Sequence, residues 1–277
     1  HQENWGFSQN KSADELAEYI AYALKPLKNV GLPCEGVTTP GGFGGRNREN
    51  LAKGTFQAVR DVFKAEIPHY FRDLFTDPKR SVAPLVQYAK GIDGPNPECV
   101  VSVIGCTGDW FGGWDGLERG SVDQFITEDG KGGRLPQVIG AGEPAILVCH
   151  WPGIYFNGER VGFDIFKEVV KRLHAHYDNL LWMKNSEIAR YWAAKELTRI
   201  DRAENTVTFK SPYACPAFTV RIPVVAGGPP MVTAAGEPRP LTEVARPLDL
   251  KSGTCVRDKN GLTACFDLPK GDSTVAW

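Results

Sequence analysis

Apolar positions recur along this chain at two different periods, and each change of period marks a new element. From Ser12, the text SADELAEYIAYALKPLKNVG sets Leu16, Ile20, Leu24 and Leu27 on one helical stripe, with Ser12 and Glu15 at capping-box spacing and Gly31 as the stop. LPCEGVTTPGGFGGRNREN then reads as a short strand and a Gly-rich loop, and residues 49–64 predict a helix with Leu51, Val59, Val62 and Phe63 inward. ECVVSVIG (98–105) and AILVC (145–149) are apolar without alternation, the pattern of strands covered on both faces in a parallel sheet. The stretch between them, rich in glycine and tryptophan, reads as one long loop of the kind that is usually functional. GFDIFKEVVKRLHAHY predicts a helix with Phe163, Phe166, Val170 and Leu173 on one face, NLLWM a short strand, and SEIARYWAAKEL another helix.

This alternation predicts an α/β fold, a β/α barrel or open parallel sheet, over residues 1–197. Beyond that the texture changes. TRIDRAENTVTFKSPYACPAFTVRIPVV reads as two or three strands with a turn at Ala203–Asn205, and the rest is rich in Pro, Gly and Thr without a helical stripe. Residues 198–277 are therefore expected to form a small all-β appendage.

Composition narrows the function classes. With 277 residues, 42% hydrophobic and 23% charged, the chain can bury a sizeable core, and no apolar run nears the roughly 18 residues of a membrane span. A net charge of -1 without a dense Lys/Arg cluster gives no footprint for nucleic acid or an anionic membrane, so a neutral substrate or partner fits better. Seven cysteines are scattered with no C-x-x-C pair; Cys255 and Cys265 flank a turn-like DKNG and are candidates for a hairpin disulfide in an exported protein. Cys149, inside an apolar run, reads as a small buried hydrophobe. The chain opens at His1 with neither a charged n-region nor an apolar h-region, which suggests a processed chain or a fragment of something longer. Compartment and oligomeric state stay open, with export, periplasmic or secreted, the favoured reading.

Among five histidines, His150 stands out by its address: it is the first polar residue after a buried strand, where β/α barrels gather their active sites. Asp109 and Trp110 follow the strand CVVSVI in the same way. If the two strands are neighbours, Asp109 can hydrogen-bond the His150 ring and raise its pKa, as a general acid requires. Trp110, Phe111 and Trp114 suggest a stacking wall for a sugar ring or another flat ligand, or a loop pinned by its own aromatics. TTPGGFGG, Thr38 to Gly45, lets backbone approach a ligand but is neither a phosphate loop nor a dinucleotide fingerprint. His174 and His176, two apart on a helix, share no face for a metal, and His69 reads as packing or capping. No G-x-S-x-G elbow occurs, and Asp115, Glu118, Asp123, Glu128 and Asp129 fit no calcium loop.

Taken together, Leu147-Val148-Cys149-His150, which fits L-x-x-H at a strand end, and Asp109-Trp110 resemble the later part of the polysaccharide deacetylase family, the NodB-like carbohydrate esterases. The resemblance spans residues 1–197 and implies a partial β/α barrel lacking its first strand or two. It implies that Leu147 lines an acetyl-methyl pocket, His150 protonates the leaving amine, Asp109 tunes His150, and Trp110 forms a groove wall, with Trp114 and Pro40 also at the substrate. The family's R-x-P motif is met only in part by Thr38-Thr39-Pro40-Gly41, with a threonine where the arginine would stand. His1 falls where the second histidine of an H-x-x-x-H motif would be, while the first histidine and the family's Asp pair have no counterpart.

The implied reaction is hydrolysis of the amide of an N-acetylated sugar, assisted by a divalent metal, commonly zinc, that polarises the carbonyl and carries the attacking water. With His1 as the one metal-ligand candidate, weak metal binding and little or no deacetylase activity are expected of these residues. The alternative is a non-catalytic carbohydrate-binding or structural relative. A copper oxidase chelating through His1 is disfavoured, because that class is typically a β-sandwich and this chain alternates strand and helix.

Overall fold

The computed structural model describes residues 7–39, 47–109, 120–155, 158–223 and 227–277. By internal contacts the chain falls into two compact units, one of residues 1–88 and 100–189, the other of residues 89–99 and 190–277. The expected boundary after residue 197 falls at the end of a helix.

The first unit is mixed α/β. In chain order it holds α1 (Ala13–Asn29), β1 (Gly36–Thr38), α2 (Arg48–Phe63), β2 (His69–Leu74), β3 (Leu85–Lys90), β4 (Glu98–Asp109), α3 (Arg134–Gly140), β5 (Ile146–Val148), α4 (Trp151–Tyr155) and α5 (Val161–His176). α6 (Asn185–Leu197) follows. β1, β2, β4 and β5 are parallel neighbours in that order, with β3 also paired to β4, and the parallel strands curl into a half-barrel.

The helices form for the reasons the sequence offers. α1 starts in a complete capping box, the Ser12 hydroxyl accepting from the Glu15 N–H and the Glu15 carboxylate accepting from the Ser12 N–H. Leu16, Ile20 and Leu24 are buried against Leu51, Val59 and Val62 of α2, and this layer covers Tyr70 of β2 and Val100 of β4. Further along β4, Ile104 and Cys106 join a second cluster with Phe125, Leu135, Val138, Ile165, Val169 and Leu173. β4 is buried from Cys99 to Thr107, as its unbroken apolar run predicts.

Four expectations change, the first at the end of α1, where Leu27 is exposed instead of joining the buried stripe of Leu16, Ile20 and Leu24. The long loop before β5 contains a 3-10 turn at Val122–Gln124 and the helix α3. The buried stripe of α5 is Gly162, Ile165, Val169 and Leu173, with Phe163 and Phe166 exposed. Phenylalanine hydrophobicity misled the phase there, because β-branched Ile165 and Val169 are the residues that meet the sheet cluster. NLLWM forms no strand and leaves Leu181, Trp182 and Met183 exposed. Sequence periodicity also passed over β2, although His69-Tyr70-Phe71 after Pro68 is a run of ring-bearing residues suited to a pleated surface.

The second unit is all-β apart from the end of α6. Its strands are β6 (Arg199–Arg202), β7 (Thr206–Ser211), β8 (Cys215–Ile222), β9 (Met231–Ala234), β10 (Glu237–Pro240), β11 (Thr242–Glu243), β12 (Thr254–Asp258), β13 (Gly261–Leu268) and β14 (Gly271–Ala276). They form two sheets, β10-β9-β14-β7-β6 and β11-β12-β13-β8. Val207, Phe209, Val232 and Val275 from the first meet Phe218, Ile222, Leu262 and Phe266 from the second in one core, as in a sandwich. The Ala203–Asn205 turn closes β6 onto β7 through an Ala203 N–H to Thr206 carbonyl bond of 2.8 Å.

The hairpin register also answers the cysteine question. Cys255 faces Ala264 and Thr254 faces Cys265, so Cys255 and Cys265 project from opposite faces of the sheet and no disulfide joins them.

Candidate functional site

Because β1, β2, β4 and β5 are parallel, they deliver their C-terminal residues to one edge of the sheet. β4 runs farthest: its last pair with β2 is Gly105 with Leu74, and four residues later Asp109 pairs with Val148 of β5. β5 ends there, and His150 lies two residues on. The register therefore forces Asp109 and His150 together, although they are 41 positions apart in sequence.

The contact is double. Asp109 Oδ2 accepts from the His150 backbone N–H at 3.2 Å and meets His150 Nδ1 at 2.6 Å. A carboxylate oxygen is an acceptor, so Nδ1 carries the proton and donates it, which leaves Nε2 as the ring nitrogen for external chemistry. The Asp109 side chain is 13% exposed and that of His150 is 56% exposed, so the base of the pair is anchored while the ring faces solvent.

The strand that carries Asp109 is itself braced. Arg134, the first residue of α3, donates Nε–H to the Cys106 carbonyl and a terminal N–H to the Phe75 carbonyl, both at 3.0 Å. One guanidinium thus ties β4, three residues before Asp109, to the chain leaving β2. Cys149, expected as a buried hydrophobe, is exposed because β5 stops at Val148. Partial burial first, then the neighbouring Asp109 charge, raise its thiol pKa. Leu147 packs against the cluster of Ile104, Cys106 and Phe125.

Other sequence-selected residues take structural places. His69 lies flat against Gly36, where an added Cβ would stand 2.4 Å from its Nε2, and burial lowers its pKa. His176 contacts the Glu128 carbonyl through Nε2 at 2.8 Å, and Asp123 pairs with Arg172 at 2.6 Å. His1, Pro40, Trp110 and Trp114, with Phe111, Asp115 and Glu118, lie outside the described residues.

One charged cluster went unread in the sequence. Asp73, near the end of β2, is clasped by both terminal nitrogens of Arg48 at 2.9 and 3.2 Å and by its neighbour Arg72. The three come from helix start and strand end, a pairing that no local spacing announces. Burial, reinforced by the Asp73 charge, pushes the nearby Tyr70 phenol up to about 12.

The donor set for a metal can be tested directly. Among the described residues no group of three or more His, Cys, Asp and Glu side chains converges on a point, and Asp109 Oδ2 is already committed to His150. Asp109 and His150 are two donors where a zinc site takes three or four from the protein. The described residues thus do not make up a metal site. No protein-family model, curated protein or solved structure matches the chain.

Proposed function

We propose that this protein is a hydrolase of the amide bond of N-acetylated sugars, similar to the polysaccharide deacetylases, and that its first unit is a half-barrel of the NodB type. The observation that carries the reading is the 2.6 Å contact between Asp109 Oδ2 and His150 Nδ1 at the ends of adjacent parallel strands. With Nδ1 held by the carboxylate, the protonated ring presents Nε2–H outward. That proton passes to the nitrogen of the departing amine as the C–N bond breaks. Asp109 fixes the ring's orientation and stabilises its positive charge before transfer. The half of the reaction that activates water is assigned to no described residue.

The test is acetate release from N-acetylated oligosaccharides, measured with and without added zinc. His150→Ala should lower any release by roughly 10²–10⁴-fold, the usual weight of a general acid, with the fold kept. Release is expected to be low while the water-activating half is unassigned, and release that His150→Ala leaves unchanged sinks the proposal.

A further inference from the structure

We infer that Trp151 and Tyr155 form the stacking platform on which a pyranose ring rests while its amide group meets His150; the choice of a sugar rests on the reading above. α4 begins at the residue after His150, so its orientation is tied to the Asp109–His150 contact. Its inner side is fixed: Gly153 is buried, and Ile154 packs on the cluster around Ile104 and Phe125. Trp151 and Tyr155, four apart, consequently share the outer side. Their rings are 6.1 Å apart at 72°, edge to face, and they are 71% and 53% exposed.

An edge-to-face pair holds both rings in place and leaves ring face open to solvent. Aromatic surface of this size gains most when an apolar face covers it, and a pyranose offers one in its axial C–H groups while its hydroxyls stay in water. Other exposed rings are differently disposed: Phe163 has the Lys167 ammonium 5.0 Å from its centroid, and Trp182 sits 6.0 Å from the His174 ring. Of these rings, Trp151 is the one that directly follows the histidine held by Asp109. Net charge near zero suits a neutral ligand. The wall that the sequence placed on Trp110 and Trp114 thus has a candidate on the His150 side of the site.

The experiment measures binding of the β-1,4-linked tetramer of N-acetylglucosamine to the full chain by calorimetry, separately from acetate release. Trp151→Ala should weaken binding about tenfold or more, and Trp151→Phe should hold it within about threefold. Tyr155→Ala, which removes the ring that orients Trp151, should also weaken it. Thermal melting checks that each variant is folded; should Trp151→Ala fail to fold, Trp151→Ser and Tyr155→Ala carry the test. Binding that is indifferent to both positions, or no binding by the unsubstituted chain, overturns the platform. Binding that depends on Trp151, together with acetate release that His150→Ala leaves unchanged, overturns the hydrolase reading and leaves the platform standing.

Discussion

Gly54 of α2 lies so close to Leu16 of α1 that a Cβ added to it would stand 2.9 Å from the leucine Cβ and 2.8 Å from the Ala13 carbonyl oxygen. Two effects oppose each other in Gly54→Ala. Helix propensity favours alanine by about 1 kcal/mol. Overpacking costs about 1–3 kcal/mol, and here the obstructing atoms are main chain or directly attached to it, so no side-chain rotation relieves them. The crowding should win, with a net loss of up to about 2 kcal/mol in urea denaturation. An unchanged or raised midpoint would show that the helices separate freely.

Asp109→Asn separates charge from shape. The amide oxygen can still accept from the His150 backbone, but the negative charge that supports a protonated ring is gone, and the amide NH2 can turn toward Nδ1. We expect hydrolysis to fall by roughly 10²–10⁴-fold with the fold intact. Asp109→Ala should also cost about 1 kcal/mol of stability, since the His150 N–H loses its 3.2 Å partner. Full hydrolysis by Asp109→Asn removes Asp109 from the mechanism.

The cap of α1 should titrate. The Lys11 ammonium, first, and the Ser12 N–H hold the Glu15 carboxyl down at about 2, from an ordinary 4.5. A depressed folded pKa means that the stabilisation is whole above about pH 4.5 and lost as the pH falls toward 2. Glu15 is at the surface, so the effect is small. The difference in urea midpoint between the parent and Glu15→Gln should be present at pH 6 and vanish near pH 2. A difference that persists undiminished at pH 2 would be inconsistent with the ionised cap.

Thiol chemistry should sort the cysteines by depth. Burial pushes Cys99 up to about 12 and Cys106 and Cys215 up to about 11, whereas the exposed Cys149 is raised by partial burial and by the Asp109 charge. With iodoacetamide at pH 8, Cys149 should react first, more slowly than free cysteine, and faster in Asp109→Asn. Peptide mapping should find no bond between Cys255 and Cys265. Such a bond, or a buried cysteine modified before Cys149, would contradict the register or the depth described.

How much of this was legible in the sequence follows from the range of the interactions. α1 and α2 were readable because capping and a 3.6-residue stripe are local, and β4 because double burial leaves an unbroken apolar run. Asp109 and His150 were selected by their strand-end addresses, but their contact depends on the β4–β5 register, which no local pattern encodes. The Arg48–Asp73 pair and the Arg134 brace are non-local in the same way and gave no signal. β2 was missed because His69, Arg72 and Asp73 interrupt its apolar pattern; their burial depends on tertiary partners. α5 was found but turned, since exposed phenylalanines outweighed smaller β-branched residues in the pattern.

The second unit draws on two lengths of chain, and Lys270 Nζ reaches the Pro95 carbonyl at 2.8 Å to help join them. Residues 89–99 leave the ribosome long before residues 190–277, so the earlier piece waits through most of synthesis for its partners. Expression of residues 1–197 alone would therefore not excise a module; it would leave residues 89–99 without residues 198–277, among them the Lys270 that holds Pro95, and is expected to make the shortened protein prone to aggregation for reasons unrelated to the chemistry at His150.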